Sequence, residues 1–198
     1  MRVIPVRTDG HLRPSRGQKD TTLQIPAIIV ALAQAATISA MPQSPLETFR
    51  TLEGSWQGKL EDRDYQSDRL ERIPVEVEFE AIPNDRTFVQ RSTFTDPAFS
   101  VPVTSLLAID GETVYVASSR AERAFESYVQ TARLGTVAGT NRWTLTLTLV
   151  DSDDRRRAVL REVMVRERDT LTITKEVDYL DDDRSEWVFR NRAILETK

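Results

Sequence analysis

The stretch PLETFRTLEGSWQGKL, residues 45–60, predicts the start of a helix, its end and the first residues of a strand. Ser44 and Glu47 have the spacing of a capping box, and Pro45 occupies the first helical position, where its missing N–H costs nothing. Gly54 marks the end of the helix. Three apolar residues fall on one helical face: Leu46, Phe49 and Leu52. Because so short a helix is not stable alone, we expect this face to pack against the segments that follow.

The segments that follow alternate apolar and polar residues with a period of two, which is the pattern of half-buried β-strands. The alternation is clearest in 75–81, 143–149 and 171–177. Ten strands are predicted: 55–61, 74–82, 87–94, 103–109, 113–118, 125–131, 143–150, 159–166, 171–179 and 186–195. Turn signals and hairpin-length links separate them, and closure of such a meander removes its unpaired edges. We therefore expect an all-β fold, an antiparallel up-and-down β-barrel with a short N-terminal helix, with an open sandwich as the alternative.

The first forty residues have the composition of a secretory signal peptide. Basic residues precede the uncharged run 23–40, which ends in small residues suited to cleavage after Ala35 or Ala40. A membrane anchor and a disordered cytosolic tail are the competing interpretations, although Pro26 interrupts the apolar run. We expect 1–40 to be removed and 41–198 to form a periplasmic or secreted domain without a stable membrane span.

Charge and residue content exclude several functions. The chain has 27 basic and 31 acidic residues; the first forty hold five and two of these, which leaves 22 and 29 and a net charge of −7 for the remainder. Such an acidic domain is not expected to bind nucleic acid. The chain has no cysteine, and its one histidine is His11, within the predicted leader. A mature domain without either residue cannot contain a Ser-His-Asp or Cys-His catalytic arrangement.

Acidic residues in two turns and along one strand do not predict a metal site. The runs 151–154 and 178–183 lack the glycine and terminal glutamate of a calcium loop, so they are interpreted as solvated hairpin tips. Glu76, Glu78 and Glu80 share one strand face, which is interpreted as the solvent face. No carboxylate pair is singled out for acid–base catalysis. We expect no metal ion and no cofactor, and catalysis by carboxylates is the least favoured function.

A family resemblance rests on the order of these features. A capped helix leading into LEGSWQG (52–58), a meander of strands and a last strand with arginine beside aromatic residues resemble the calycin superfamily, the lipocalins and their relatives. The segment 52–58 is similar to the opening of nitrobindin-type and uncharacterised bacterial lipocalin-like proteins, and TDP at 95–97 fits the second group. The resemblance covers residues 46–197 and implies a barrel with a ligand-binding interior.

The resemblance also implies roles for particular residues. Trp56 is expected to close one end of the barrel beneath an arginine of the last strand, either Arg190 or Arg192, while Gly54 and Gly58 let the backbone pass close to the ring. Nitrobindin-like barrels hold heme through a histidine in the C-terminal part of the domain. This chain departs from them because no histidine follows position 11. Heme is therefore not expected.

These features predict an exported barrel that binds a small apolar or amphipathic molecule. Inward residues of alternate strands are the candidates for the lining. They are Phe79, Phe88, Phe94, Leu106, Tyr115, Tyr128, Trp143, Leu147 and Phe189. Each of them could equally belong to a filled core. The alternative function is a solidly packed barrel that acts as an envelope interaction module, and it would show a filled interior and an exposed apolar patch.

Overall fold

The computed structural model describes residues 41–64, 67, 69–83, 86–95, 98–120, 125–182 and 184–198. The predicted leader 1–40 lies outside the described residues, as do two residues of the TDP segment. Within the described ranges, no helix has the length and apolar character needed to cross a membrane.

The N-terminal element is α1, Pro45–Arg50. The Glu47 backbone N–H donates to the Ser44 hydroxyl at 3.2 Å, as the capping box predicts. The Glu47 carboxylate, however, accepts from the backbone N–H of Gln43 at 2.5 Å and not from that of Ser44. Glu47 therefore bonds both to the Ser44 side chain and to the backbone of the residue before it, and these two bonds fix the start of the helix.

The described residues form ten strands in one closed antiparallel barrel. Their bounds are β1 Gly54–Arg63, β2 Leu70–Ala81, β3 Thr87–Thr95, β4 Ser100–Asp110, β5 Thr113–Arg120, β6 Glu126–Gly139, β7 Arg142–Asp153, β8 Arg156–Glu167, β9 Thr170–Tyr179 and β10 Val188–Thr197. Each strand pairs with the next along the chain, and β1 pairs with β10 to close the sheet. The predicted all-β, ten-strand up-and-down barrel is confirmed, although most strands are longer than their alternating segments.

The helix and three aromatic side chains seal one end of the barrel. Phe49 and Trp56 are buried, and the Trp56 indole N–H donates to the carbonyl of Leu52 at 2.8 Å. The indole N–H of Trp143 donates to the Thr51 hydroxyl at 3.0 Å. These bonds attach the end of α1 to β1 and to β7, so the helix lies fixed across this opening.

The arginine over Trp56 is Arg166 of β8, and the prediction of Arg190 or Arg192 is wrong. The Arg166 guanidinium carbon lies 5.1 Å from the centre of the indole ring, and the guanidinium donates to the carbonyl of Thr51. Burial lowers the pKa of this guanidinium. A side chain from a strand remote in sequence therefore completes the sealed end.

Pairing along β1 and β10 explains why the last-strand arginines cannot reach Trp56. Trp56 lies opposite Thr197, whereas Arg192 lies opposite Glu61 and donates to its carboxylate at 2.6 Å. An irregularity in β10 separates the two arginines, and Arg190 instead donates to Asp153 at 2.9 Å. Asp153 ends β7, at the barrel end opposite the helix.

The two predicted glycines serve the backbone and not the indole ring. Gly54 has a φ of 122°, and a Cβ there would have nothing within 4 Å, so its conformation is what requires glycine. A Cβ on Gly58 would lie 1.9 Å from the carbonyl oxygen of Ile194 in β10. The strands β1 and β10 therefore approach each other too closely for any side chain at position 58.

The sealed end predicts a large stability loss in Trp56→Ala. Removing this buried indole should lower the free energy of unfolding by about 3–5 kcal/mol. Trp187→Ala is the matched control, because Arg161 covers the Trp187 ring at 3.8 Å but that ring is only half-buried. The control should lose about 1 kcal/mol. Equal losses in urea-induced unfolding would contradict the assignment of Trp56 to the seal.

A second prediction concerns Glu61, which lies in β1, one of the two strands whose pairing closes the barrel. Hydrogen bonds from Arg192 and Arg72 lower the pKa of this carboxyl to about 2. Because the folded-state pKa lies below the unfolded-state value, the stabilisation is present near neutral pH and is lost as the pH falls from about 4.5 to 2. Glu61→Gln should therefore be less stable than the wild type at pH 7 and equal to it near pH 2. The free energies of unfolding of the two proteins are measured by urea unfolding between pH 7 and pH 2. A difference that stays the same at every pH would exclude a role for the Glu61 charge.

Candidate ligand-binding lumen

A cavity of about 190 Å³ lies inside the barrel. Its apolar wall includes Val77, Leu107, Val116, Leu147, Met164 and Leu195. Its polar wall consists of Gln90, Ser92, Ser105, Tyr128, Gln130 and Glu162. Phe49 of α1 also contacts this space, so the sealed end forms its floor. A mixed lining of this kind suits a molecule that has both apolar and polar parts.

A second cavity, of about 440 Å³, adjoins the first toward the end of the barrel that lacks the helix. It is lined by Leu60, Asp62, Ile73, Phe94, Phe99, Val101, Val103, Glu162, Lys175 and Asn191. Leu60, Phe94 and Glu162 line both cavities, so they mark the boundary between the two. We call the two together the lumen, the smaller one the inner cavity and the larger one the mouth.

Glu162 is a charged residue on an otherwise apolar strand face. The inward positions of β8 around it are Leu160 and Met164, and both are buried. Burial raises the pKa of the Glu162 carboxyl, and the Lys175 ammonium opposes that rise. The carboxyl keeps some accessible surface because it lines the two cavities, although it lies deep within the protein.

Tyr128 contributes a phenol to the same inner cavity. Burial raises its pKa to about 12, and the nearby carboxylates of Glu162, Glu126 and Asp151 act in the same direction. The phenol is therefore protonated at physiological pH, so its hydroxyl both donates and accepts hydrogen bonds. Glu162 thus gives the inner cavity an ionisable carboxyl group, and Tyr128 adds a neutral hydroxyl.

Short hydroxyl and amide side chains occupy the opposite side of the inner cavity. The hydroxyls of Ser105 and Ser118 lie 3.0 Å apart across β4 and β5, and the Gln90 amide donates to the Ser92 hydroxyl at 3.2 Å. Gln130 is buried beside them on β6. The serines at these positions leave space that larger side chains would fill.

Six of the predicted lining residues face inward, in two groups. Phe94, Tyr128 and Leu147 line the inner cavity. Phe79, Phe88 and Trp143 are buried in the apolar core, and Phe88 packs against Phe49 with ring centres 5.9 Å apart. This second group is absent from the lining of either cavity among the described residues, so it belongs to the core.

The other three predicted lining residues are wrong. Leu106 and Tyr115 are 43% and 51% exposed on the outer face, because their neighbours Leu107 and Val116 take the inward positions. Phe189 lies opposite Glu176. Paired residues share a face, and the Glu176 carboxylate binds Arg161 on the outer surface.

Sequence reasoning missed Glu162, Lys175, Gln90 and Gln130. A usable signal existed only for Glu162, which interrupts the run of apolar residues at alternate positions 158–164. A glutamate on that face is costly unless it has a partner or a function. The glutamines carry no comparable signal because half-buried strands often include them.

A groove of about 610 Å³ also lies on the outside of the barrel. Its lining includes Gln57, Lys59, Glu76 and Glu196, which are all exposed. Charges of both signs and a wide opening to solvent make it a surface feature. The lumen is therefore the stronger candidate for a binding site.

Comparisons with known proteins support the fold alone. No family model matches the chain, and no curated protein matches it. The crystal structure of Rv2717c from M. tuberculosis is similar with a TM-score of 0.56 and 15% identity, over 77% of this chain and 96% of that one. A protein of the DUF3598 family from Nostoc punctiforme aligns over 79% of this chain and 100% of that one at 10% identity, but its TM-score of 0.26 is too low to show a common fold. By its fold, the chain is thus a closed ten-stranded antiparallel β-barrel protein.

The environment of Glu162 predicts an unusual effect of Glu162→Gln. Because the folded-state pKa is raised, stability is lost as the pH rises above the unfolded-state pKa of about 4.5. The amide removes this loss, so the variant should be more stable than the wild type at pH 8, with a difference that shrinks toward pH 4.

Glu176→Gln is the control for this prediction. It removes the outer-face ion pair with Arg161, which spans 2.6 Å, and should be no more stable than the wild type at pH 8. Thermal unfolding of the three proteins at pH 4 and pH 8 decides the matter. A Glu162→Gln variant that is destabilised at pH 8 would show that the carboxylate is well compensated in the folded chain.

Proposed function

We propose that this barrel binds a small apolar or amphipathic molecule in its lumen. The observation that carries the proposal is the inner cavity, which continues into the mouth and combines an apolar floor with a few polar side chains. Ligand sites are typically concave and mostly apolar with a few polar groups. An apolar cavity of about 150 Å³ holds benzene in another protein, so about 190 Å³ is enough for one ring.

The sealed end and the mouth give the lumen one direction of access. The helix, Trp56 and Arg166 occupy one end, whereas the mouth lies toward the other. A ligand would enter through the mouth and place its apolar part against the floor formed by Phe49. The carriers of small molecules among the calycins work in this way, and we propose that the chain is related to them on the basis of the segment 52–58 and the closed barrel.

We also propose export of the domain. The basic residues followed by the uncharged run 23–40, which ends in small residues, support it.

An interaction module remains the second candidate because of one surface feature. Leu106, Tyr115 and Val129 are exposed side by side on the outer face of β4, β5 and β6. A contiguous apolar patch of this kind is typical of a protein contact. The interior, however, is not the filled core that a purely structural barrel would have, so ligand binding is favoured.

A pair of variants on β4 tests the proposed function. Ser105→Phe places a ring in the inner cavity, whereas Leu106→Phe places the same ring on the outer face one residue away. The neutral fluorophore N-phenyl-1-naphthylamine, which brightens in apolar surroundings, serves as the probe. Ser105→Phe should weaken its binding about tenfold or more, and Leu106→Phe should change it by less than about twofold.

The comparison has a clear negative outcome. If both variants bind the fluorophore as tightly as the wild type does, and their circular dichroism spectra match that of the wild type, the probe lies outside the lumen. That result would contradict the proposed function. Weaker binding in Leu106→Phe alone would favour the patch on β4 to β6 as the site of contact.

A further inference from the structure

The charges of the lumen are few and unbalanced. Among the described residues that line the inner cavity and the mouth, the charged ones are Asp62, Glu162 and Lys175. Asp62 and Lys175 line the mouth only, and Glu162 also reaches the inner cavity. A ligand that enters the inner cavity therefore meets one charged group, and that group is a carboxylate.

The Glu162 carboxylate lacks a close partner in the described part of the chain. Lys175 lies directly opposite it on β9, but no ion pair within 4.0 Å and no hydrogen bond from a described side chain involves the carboxylate. Two other glutamates of the barrel are paired, Glu61 with Arg192 at 2.6 Å and Glu176 with Arg161 at 2.6 Å. A carboxylate held inside a protein without such a partner is costly, so a cation placed beside it gains more than it would in water.

Neutral polar side chains accompany Glu162 in the lining of the inner cavity. Tyr128 and Gln130 line the inner cavity with it, and each offers an oxygen that can accept a hydrogen bond. An alkylammonium has three N–H donors and no acceptor, so one carboxylate and two neutral oxygens match its needs. A carboxylate ligand would instead meet Glu162 as a like charge.

We propose that the ligand is a small amphipathic amine whose ammonium group binds Glu162 and whose apolar part fills the inner cavity. This inference rests on the proposed function of the lumen. The size of the inner cavity sets the apolar part at about one aromatic ring or a short branched alkyl group. Longer substituents would extend into the mouth beside Phe94 and Phe99.

Three compounds of similar shape and different charge test the inference on the full chain. Phenethylamine carries the cation, 2-phenylethanol is its neutral counterpart, and 3-phenylpropionate carries the anion. Calorimetric titration of the wild type at pH 7.5 should give an affinity for the amine that exceeds those for the alcohol and the acid by about tenfold or more.

Two variants assign the preference to Glu162. Glu162→Gln should weaken amine binding by about tenfold or more and leave alcohol binding within about twofold. Glu176→Gln, which changes a carboxylate on the outer face of β9, is the control and should leave amine binding within about twofold of the wild type. The alcohol also reports whether each variant retains an intact lumen.

The outcomes separate this inference from the proposed function. Alcohol binding as tight as amine binding in the wild type, or unchanged amine binding in Glu162→Gln, would overturn the amine assignment. If the wild type binds the acid most tightly of the three compounds and Lys175→Gln loses that binding, the amine assignment is overturned in favour of an anionic ligand. If none of the three compounds binds but the fluorophore binds and Ser105→Phe blocks it, the amine inference fails and the proposed function stands. If the fluorophore also fails to enter the lumen, the proposed function itself fails.

Discussion

Closure of the sheet between β1 and β10 is the constraint on which the rest of the structure depends. Seven residue pairs join these strands, from Trp56 opposite Thr197 to Asp62 opposite Asn191. Gly58 is required within this seam because a Cβ there would collide with the carbonyl of Ile194. Closure removes both edges of the sheet and turns one face of every strand inward. The lumen exists because that inward face is common to all ten strands.

The two ends of the lumen differ in chemistry, and the difference follows from what covers them. Beneath α1, Trp56 and its neighbours form a core that excludes water and stabilises the barrel. Toward the mouth, small polar side chains such as Ser105 leave space, and Glu162 lies at the boundary between the two cavities. A glutamate at this point costs stability, and proteins commonly accept such a cost at functional sites. The cost and the proposed binding chemistry would thus have the same origin, the Glu162 carboxylate.

The fold was readable from the sequence because alternation and turn residues are local signals. The role of Trp56 was predicted from the resemblance of residues 52–58 to the opening of lipocalin-like proteins. Its partner Arg166 was not, because it depends on the register of a strand that lies 110 positions further along the chain. The error at Leu106 arises because it is followed directly by another leucine, so the sequence does not show which of the two faces the interior. The error at Phe189 arises from the irregularity in β10, which no turn signal marks.

The most direct test of the central claim uses the methionine methyl groups as reporters in the full chain. Met164 lines the inner cavity, and Met41 is 54% exposed on the surface. In ¹³C-methyl-methionine NMR spectra recorded with added phenethylamine, the Met164 methyl should shift and show contacts to the ring protons, while the Met41 methyl stays unchanged. Saturable binding that leaves the Met164 methyl unmoved would contradict the account, because the ligand would then lie outside the inner cavity.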